Sequence, residues 1–387
     1  MKYIDLLNEI IETKSLPAIL NEAKTVLLPK DPAATFLAEK YRPIALLNTQ
    51  YKILTRIIYA RLKNQLDKHD VISPVQHACR KGKSTEQHIV TLMNAIEDSQ
   101  QFQKQIHLVS TDITKAFDNV QHWAIRDTLS YYNVHPDSID LIMALYKEPT
   151  TFLSTPAGDS DSFPILCGIR QGDAMSAFMY ALVTNRILDY IYEKYPGYRF
   201  HNNPDVKVNI MAFVDDVVLV SDNYEDIQDM LHDLNKYLAS IGLVINRSKS
   251  LYTSTSTNNA LSLDKNDHSQ LLSYISPDTP FRYLGFWYTL TGDWSTSTKK
   301  AIASAQFKLN KIRSAKILFT QKVNIIKIVV NKALEYHLKF TTLSKAETTK
   351  VANMIANTYK DKLLTGILTD NRVSSTLDSA TVPFDKA

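Results

Sequence analysis

Glycine is scarce in this chain, nine in 387 residues, against roughly 7% in average usage. A glycine retained inside a motif therefore marks backbone geometry that other residues supply poorly. Four of the nine, Gly168, Gly172, Gly242 and Gly285, fall within the segments discussed below. Cysteine is scarcer still, with Cys79 and Cys167 in unrelated contexts. That argues against a disulfide framework or a Cys-based zinc site, and it points to an intracellular protein, nuclear or cytoplasmic. No apolar run reaches the ~18 residues that span a bilayer. The opening Met1-Lys2-Tyr3-Ile4-Asp5 is too charged for a secretory signal, so neither membrane residence nor secretion is expected. No internal repeat is visible.

Length suffices for two or three domains with a substantial core. The formal charge of +4 hides an asymmetry. Lys299 to Lys362 carries 14 Lys/Arg against 3 Asp/Glu, a net of +11, which leaves −7 for the rest of the chain. A basic C-terminal third beside an acidic body fits a nucleic-acid grip attached to a metal-binding core. A lysine-rich, solvated helical face is the plainer alternative.

Periodicity lays out alternating elements. A helical pattern opens the chain and leads to a strand at Thr25-Val26-Leu27-Leu28, ended by Lys30-Asp31-Pro32. Glu39-Lys40-Tyr41-Arg42-Pro43-Ile44 is extended by its X-Pro step, and a helix follows from Gln50 to about His69 with Ile53, Leu54, Ile57, Ile58, Leu62 and Leu66 as its apolar face. Gln76-His77-Ala78-Cys79-Arg80-Lys81-Gly82-Lys83 is a basic turn suited to phosphates, or simply a surface loop, before a helix from Glu86. Ile106 to Asp112 is a short strand ending in an acid. Helices follow over about 121–132 and 136–147, then a hairpin region over 149–167. Gly168-Ile169-Arg170-Gln171-Gly172-Asp173 is a polar, glycine-bearing turn into a long apolar helix, and such a turn suits phosphate or base-pair contact. Tyr224 to Ile241 is an amphipathic helix ended by Gly242. Leu243-Val244-Ile245-Asn246 is expected as a strand, about 253–278 as a polar loop, and Phe281 to Tyr288 as an aromatic strand. A basic helical region begins near Thr296, and the last ~20 residues are polar and expected to be loose.

One stretch stands apart: Met211-Ala212-Phe213-Val214-Asp215-Asp216-Val217-Val218-Leu219-Val220. A β-branched apolar run with two acids at its centre is a buried strand pair with an acidic hairpin tip. Ionised carboxylates are costly to bury unpaired, and this stretch contains no Lys or Arg. A hard cation with oxygen ligands fills that role, since Mg²⁺ takes one or two carboxylates plus substrate phosphates. Taken alone, the stretch also fits an exposed Asp-Asp turn. A second strand ends in Asp112, 103 residues earlier. Three carboxylates brought together could hold two Mg²⁺ ions, with Mn²⁺ as substitute, ~3.5–4 Å apart, the arrangement of polymerases and nucleases.

The order of pieces carries a resemblance. Asp112 with Phe117 five residues on, then Arg-Gln-Gly-Asp, Phe-Val-Asp-Asp, Asn-x-x-Lys and Tyr-Leu-Gly follow one another from about Pro29 to Trp287. Together with Tyr41-Arg42-Pro43-Ile44 and Tyr51-Lys52-Ile53-Leu54, this resembles the reverse transcriptase domain of non-LTR (LINE-type) retrotransposons. The resemblance implies an α+β, right-hand polymerase, with helical and β fingers over 1–104 joined by part of 130–167. It implies an antiparallel-sheet palm packed on helices over 105–294, and a helical, basic thumb with tail over 295–387. It implies Asp112, Asp215 and Asp216 as catalytic metal ligands, with the backbone of Ile113 assisting. Lys249 would be a proton donor near the triphosphate. Arg42, Lys115, Ala116, Phe117, Gln171 and Gly172 would surround the incoming nucleotide, with Phe117 under the deoxyribose. Arg80, Lys81, Lys83, Arg170, Tyr283, Leu284, Gly285, Lys308 and Lys311 would contact primer and template.

The implied partners are an RNA template, a DNA primer or nicked target DNA, and dNTPs. The chain departs from the family pattern at two places. Gln76-His77-Ala78-Cys79 stands for the usual Gln-x-Gly-Phe, and Ala174-Met175-Ser176-Ala177 for Pro-Leu-Ser-Pro. It also lacks the endonuclease and Cys/His knuckle of many relatives, which fits a fragment or a polymerase-only product. Two competing readings share these residues. One is a catalytically silent RNA-binding remnant, against which the intact acids count. The other is an RNA-dependent RNA polymerase, against which Phe117 counts, because a ribonucleotide needs room or a polar partner for its 2′-hydroxyl.

Overall fold

The structure is a computed structural model that describes residues 2–30, 37, 40–256 and 259–359. The chain divides into two compact units, Met1–Ser276 and Pro277–Ala387. The turn expected at Asp31-Pro32, Glu39, and the C-terminal tail lie outside the described residues.

In the first unit, α1 (Lys2–Thr13) buries Leu7 and Ile10 and leads into strands β1 (Glu22–Pro29) and β2 (Tyr41–Leu47). Asn48 caps α2 (Thr49–Asp67), its side chain accepting from the Gln50 N–H at 2.9 Å. That helix buries Leu54, Ile58, Leu62 and Leu66 at i, i+4 spacing, whereas Ile53, expected on the same face, is turned outward. Helix α3 (Thr85–Gln101) then precedes the short strand β3 (His107–Thr111). Helices α4 (His122–Tyr131) and α5 (Pro136–Ala144) follow, and then β4 (Thr150–Thr155). β4 returns to pair parallel with β1, so residues of the 149–167 hairpin region complete a sheet begun by the N-terminal strands.

The long helix α6 (Ser176–Lys194) is buried on all sides at Phe178 to Val183, each fully shielded from solvent. A helix without a polar stripe can persist only inside the core. Strands β5 (Ile210–Phe213) and β6 (Asp216–Ser221) form the expected hairpin, followed by α7 (Tyr224–Ser240) and β7 (Leu251–Ser254). With β8 (Ser273–Tyr274) they make a second sheet in the order β8-β7-β3-β6-β5, antiparallel but for the β7–β8 pair. Val218, Leu219 and Val220 of β6 are all fully buried, a continuous apolar run of the kind that strands covered on both faces require.

Several expectations of secondary structure change. Leu243–Asn246 forms no strand and makes a single bridge, Ile245 to Ile113, because the chain turns again at once over 247–249. The strand that borders β3 starts later, at Leu251. The polar loop after it contains a short hairpin, Ser262–Asp264 with Asp267–Leu271, closed by the Ser262 hydroxyl donating to the Asp267 carbonyl.

In the second unit the aromatic stretch is a hairpin rather than one strand: β9 (Phe281–Tyr283) turns at Leu284-Gly285, both at positive φ, into β10 (Phe286–Tyr288). Helix α8 (Ser295–Ser314) turns Ala301, Ile302, Ala305, Leu309 and Ile312 onto α9 (Phe319–Ile325), a π-helical stretch (Ile326–Asn331), α10 (Lys332–Leu338) and α11 (Lys345–Tyr359). No helix among the described residues is long and apolar enough to cross a membrane.

Candidate active site

The second sheet delivers the acids. Phe213 pairs with Asp216, so the tip of the β5–β6 hairpin is Val214-Asp215, with Val214 at φ +59°. Two-residue tips of this kind favour glycine where φ is positive, and here a β-branched residue occupies that position. On the neighbouring strand Thr111 pairs with Val217, which brings Asp112, just beyond β3, to the acidic tip. Asp215 is partly withdrawn from water. Burial, and then the charge of Asp112, hold its carboxyl above the ordinary carboxylate range, while its own backbone N–H offsets part of the effect. Asp112 is fixed by its backbone: its N–H donates to Ser250 Oγ (2.9 Å) and its carbonyl accepts from the Asn246 N–H (2.7 Å). The same 246–250 turn carries Lys249, whose Nζ stands 3.7 Å from Asp112 Oδ2. Both side chains are substantially exposed, so the pair adds little stability and leaves the ammonium free to move to a substrate.

Asp216 behaves differently from its neighbour. As the first residue of β6 it is exposed, because successive side chains of a strand point to opposite faces. Among the described residues no three His, Cys, Asp or Glu side chains are gathered as a metal-binding group; the acids meet as a pair, Asp112 with Asp215. Ile113 is buried beside them. The bonds of its bridge to Ile245 are made by its neighbours, Thr114 N–H to Val244 carbonyl and Asn246 N–H to Asp112 carbonyl. In that pattern the carbonyl of Ile113 points away from Ile245, toward the side on which β6 pairs.

The turn after β3 docks on the Arg-Gln-Gly-Asp turn. The Ile169 N–H donates to the Phe117 carbonyl (2.7 Å) and the Gly168 N–H to the Val120 carbonyl (2.8 Å). Gln171 Nε2 donates to Asp118 Oδ1 (3.2 Å). Burial raises the carboxyl of Asp118, and Gln171, Lys115 and Lys30 pull it back. The Gln171 carbonyl accepts from the Ala45 N–H of β2 (3.1 Å). At Gly172 (φ +116°) a Cβ would lie 2.7 Å from the Ala45 carbonyl oxygen, so only glycine admits this approach. Arg42 is exposed on the same strand, Lys115 is exposed at φ +45°, and Ala116 is buried. Phe117 is half-buried, one ring face stacked on Tyr180 with centroids 5.1 Å apart.

Several predicted contact residues are differently employed. Arg170 is buried, donates from Nη2 to Asn21 and lies over the Tyr51 ring. Its guanidinium therefore ties the start of β1 to the turn instead of facing solvent. Arg80 donates to the Ile72 carbonyl and to Asp70 Oδ1, while Lys81 and Lys83 are exposed beside it. In the second unit Tyr283 is buried, the Leu284 carbonyl accepts from the Tyr336 hydroxyl (2.7 Å), Lys308 is half-exposed, and exposed Lys311 lies over the Phe307 ring.

Two residues at the site carried no role in the sequence reading. Tyr180 is fully buried beneath Phe117; its hydroxyl has no hydrogen-bond partner among the described residues, and burial and the charge of Asp215 both oppose its ionisation. It falls in an unbroken apolar stretch of α6, where nothing marks it out. Gln76, also fully buried, reaches the backbone of Val214, as described below. The basic turn and the altered tetrapeptide mark this segment in the sequence, but neither points to Gln76 itself.

The model of the family "Reverse transcriptase (RNA-dependent DNA polymerase)" matches residues 28–288. A retrovirus-related Pol polyprotein from a type-1 retrotransposable element R2 of Popillia japonica is 24% identical over 92% of this chain and 50% of its own length. An uncharacterized 149 kDa protein of transposon TX1 from Xenopus laevis is 27% identical over 63% of this chain and 18% of its own. The chain thus spans about a fifth to a half of the length of these curated relatives. Among solved structures, apo telomerase from Candida tropicalis aligns over 100% of this chain and 71% of that one, with a TM-score of 0.51 at 10% identity, a likeness of fold.

Proposed function

Because the chain belongs to the reverse transcriptase (RNA-dependent DNA polymerase) family, we propose that it copies an RNA template by adding dNTPs to the 3′-hydroxyl of a DNA primer or of nicked target DNA. The observation that carries this reading is the meeting of Asp112 and Asp215, from distant parts of the chain, with Lys249 held at the same point. Among the described residues, the loose ion pair to Lys249 and the backbone N–H of Asp215 are the partners these carboxylates have.

The donor set suits a divalent cation. Two carboxylates, one of which is harder to ionise for the charge of the other, and the Ile113 carbonyl on the β6 side of its strand are oxygen ligands, and Mg²⁺ asks for no more than these plus substrate phosphates. Asp112, Asp215 and the Ile113 carbonyl would hold it, with Asp216 adjacent and Mn²⁺ as a substitute. When bound, a pair of such ions supplies activation of the 3′-hydroxyl and neutralisation at the departing pyrophosphate.

The remaining work falls to the chain. Gln171 and Gly172, braced on β2 and on Asp118, line the nucleotide pocket; Arg42 offers charge to its triphosphate. Phe117, backed by Tyr180, lies under the sugar. Lys249 gives a proton to pyrophosphate. The basic turn Arg80–Lys83 follows the template, the Tyr283-Leu284-Gly285 hairpin supports the primer end, and the lysines of α8 grip the duplex through phosphates. On this reading residues 1–104 with β4 are fingers, the second sheet is the palm, and the C-terminal helices are the thumb.

The test is primer extension on RNA and DNA templates with dNTPs or rNTPs. We expect Mg²⁺-dependent products from dNTPs on RNA. Absence of products with either metal, or a preference for rNTPs, overturns the reading.

A further inference from the structure

We propose that Gln76 is a positioning residue that holds the catalytic turn in register through Val214, a role that rests on the polymerase reading above. The segment Val75–His77 lies against β5: the Ala212 N–H donates to the Val75 carbonyl, the His77 N–H donates to the Ala212 carbonyl, both at 3.0 Å, and Gln76 makes a parallel bridge to Ala212. From there the Gln76 side chain spans to the tip. Its Oε1 accepts from the Val214 N–H at 2.9 Å, and its Nε2 donates to the Val214 carbonyl at 3.4 Å. The same Oε1 also accepts from the Ala78 N–H at 3.1 Å, which fixes the rotamer from its own side. Gln76 is fully buried, so no water stands ready to replace it.

The residue so held is the one least able to keep its conformation alone. Val214 has φ +59°, and a β-branched side chain is a genuine outlier in the left-handed region. A glycine there would need no help; a valine needs its surroundings to over-determine the turn. One amide engages both polar groups of that single residue, and the next residue is Asp215. The direction of the Asp215 carboxylate therefore depends on a side chain that lies 138 residues before Val214. The stacked His77 and His88 rings, 3.7 Å apart, buttress the segment from behind.

The test is Gln76→Met, which keeps length and volume and removes both bonds. Hydrogen exchange on the metal-free chain should show faster exchange at Val214 and its neighbours in the tip, with the rest of β5 and β6 unchanged. In extension assays kcat should fall about 10–100-fold and half-saturating Mg²⁺ should rise several-fold, while template–primer Kd stays within about twofold, since a loss of 1.4 kcal/mol in transition-state stabilisation is tenfold. A folded Gln76→Met chain with unaltered exchange and Mg²⁺ requirement overturns the proposal. Should that chain fail to fold, Val214→Gly decides. Easing the positive φ should make the turn indifferent to Gln76, so Gln76→Asn costs several-fold less in the Val214→Gly background than alone. Equal costs in the two backgrounds overturn the role. A wild-type chain without polymerase activity counts against the enzymatic reading only, because the exchange measurement judges the clamp by itself.

Discussion

Ionising Asp215 costs the folded chain free energy, because burial and the charge of Asp112 both oppose it. The sign follows from linkage. With its folded pKa raised, the folded state holds the proton more tightly than the unfolded state. The penalty is absent below the ordinary carboxylate range and complete above the raised value. Asp215→Asn should therefore raise the Tm of the metal-free chain at neutral pH, and the gain should fade on titration toward pH ~4, the ordinary carboxylate value. The same substitution should lower Mg²⁺-dependent extension by about three orders of magnitude, the loss of several kcal/mol at ~1.4 kcal/mol per decade. Equal Tm values at every pH, or near wild-type extension, would refute the assignment. Phe117 poses a different question, since one face of its ring is spent on Tyr180 and the side chain is only half-buried. A 2′-hydroxyl pressed against that ring meets an overpacking cost on the order of 1–3 kcal/mol. Phe117→Val should raise use of rNTPs relative to dNTPs at least about tenfold. Parallel losses on both substrates would make the ring a packing residue.

Elements were legible where one physical signal dominated. The acidic hairpin could be read because β-branched residues flank it without a break, and α2 because its leucines and isoleucines recur at i, i+4. Leu243–Asn246 looked equally apolar, yet strand formation needs a partner along its length. The backbone there makes one bridge, bonded to Asp112 and Thr114, and then turns. The hairpin inside the 253–278 loop was hidden because its three-residue first strand buries one apolar residue, Leu263, between a serine and an aspartate, too short an apolar pattern to stand out. At the site, Asp112, Asp215, Lys249 and Gln171 were visible as types that bear chemistry. Gln76 and Tyr180 were not, since their importance lies in what they touch. Gly172 lets the Arg-Gln-Gly-Asp turn reach β2. Gly172→Ala should cost roughly 1–3 kcal/mol from backbone strain, seen as a Tm lowered by several degrees. It should also raise the KM for dNTPs, because Gln171 moves with the turn. An alanine variant with unchanged Tm and KM would show that the approach to Ala45 is dispensable.

Across the whole molecule, charge and topology set behaviour that no single residue explains. The basic C-terminal stretch should hold a template–primer duplex through phosphates, with affinity falling steeply as salt rises. Each contact adds a little under one unit to the log–log slope. Replacing Lys300, Lys311, Arg313 and Lys316, all exposed on α8 or just beyond it, by Gln should flatten that slope by about 2–4 units. It should also shorten products at moderate salt, and an unaltered slope would mark these residues as a solvated face. The sheet order β8-β7-β3-β6-β5 has a consequence in time as well as in space. β3 waits for a partner that begins 106 residues later, at Val217, and for β7 after that. Translation at about 5–20 residues per second makes that wait about 5–20 s. Through it, both hydrogen-bonding edges of an apolar strand stand open, the condition in which one chain pairs with another. The long separation in sequence between the two acids thus also fixes how long each nascent chain must be shielded on the ribosome.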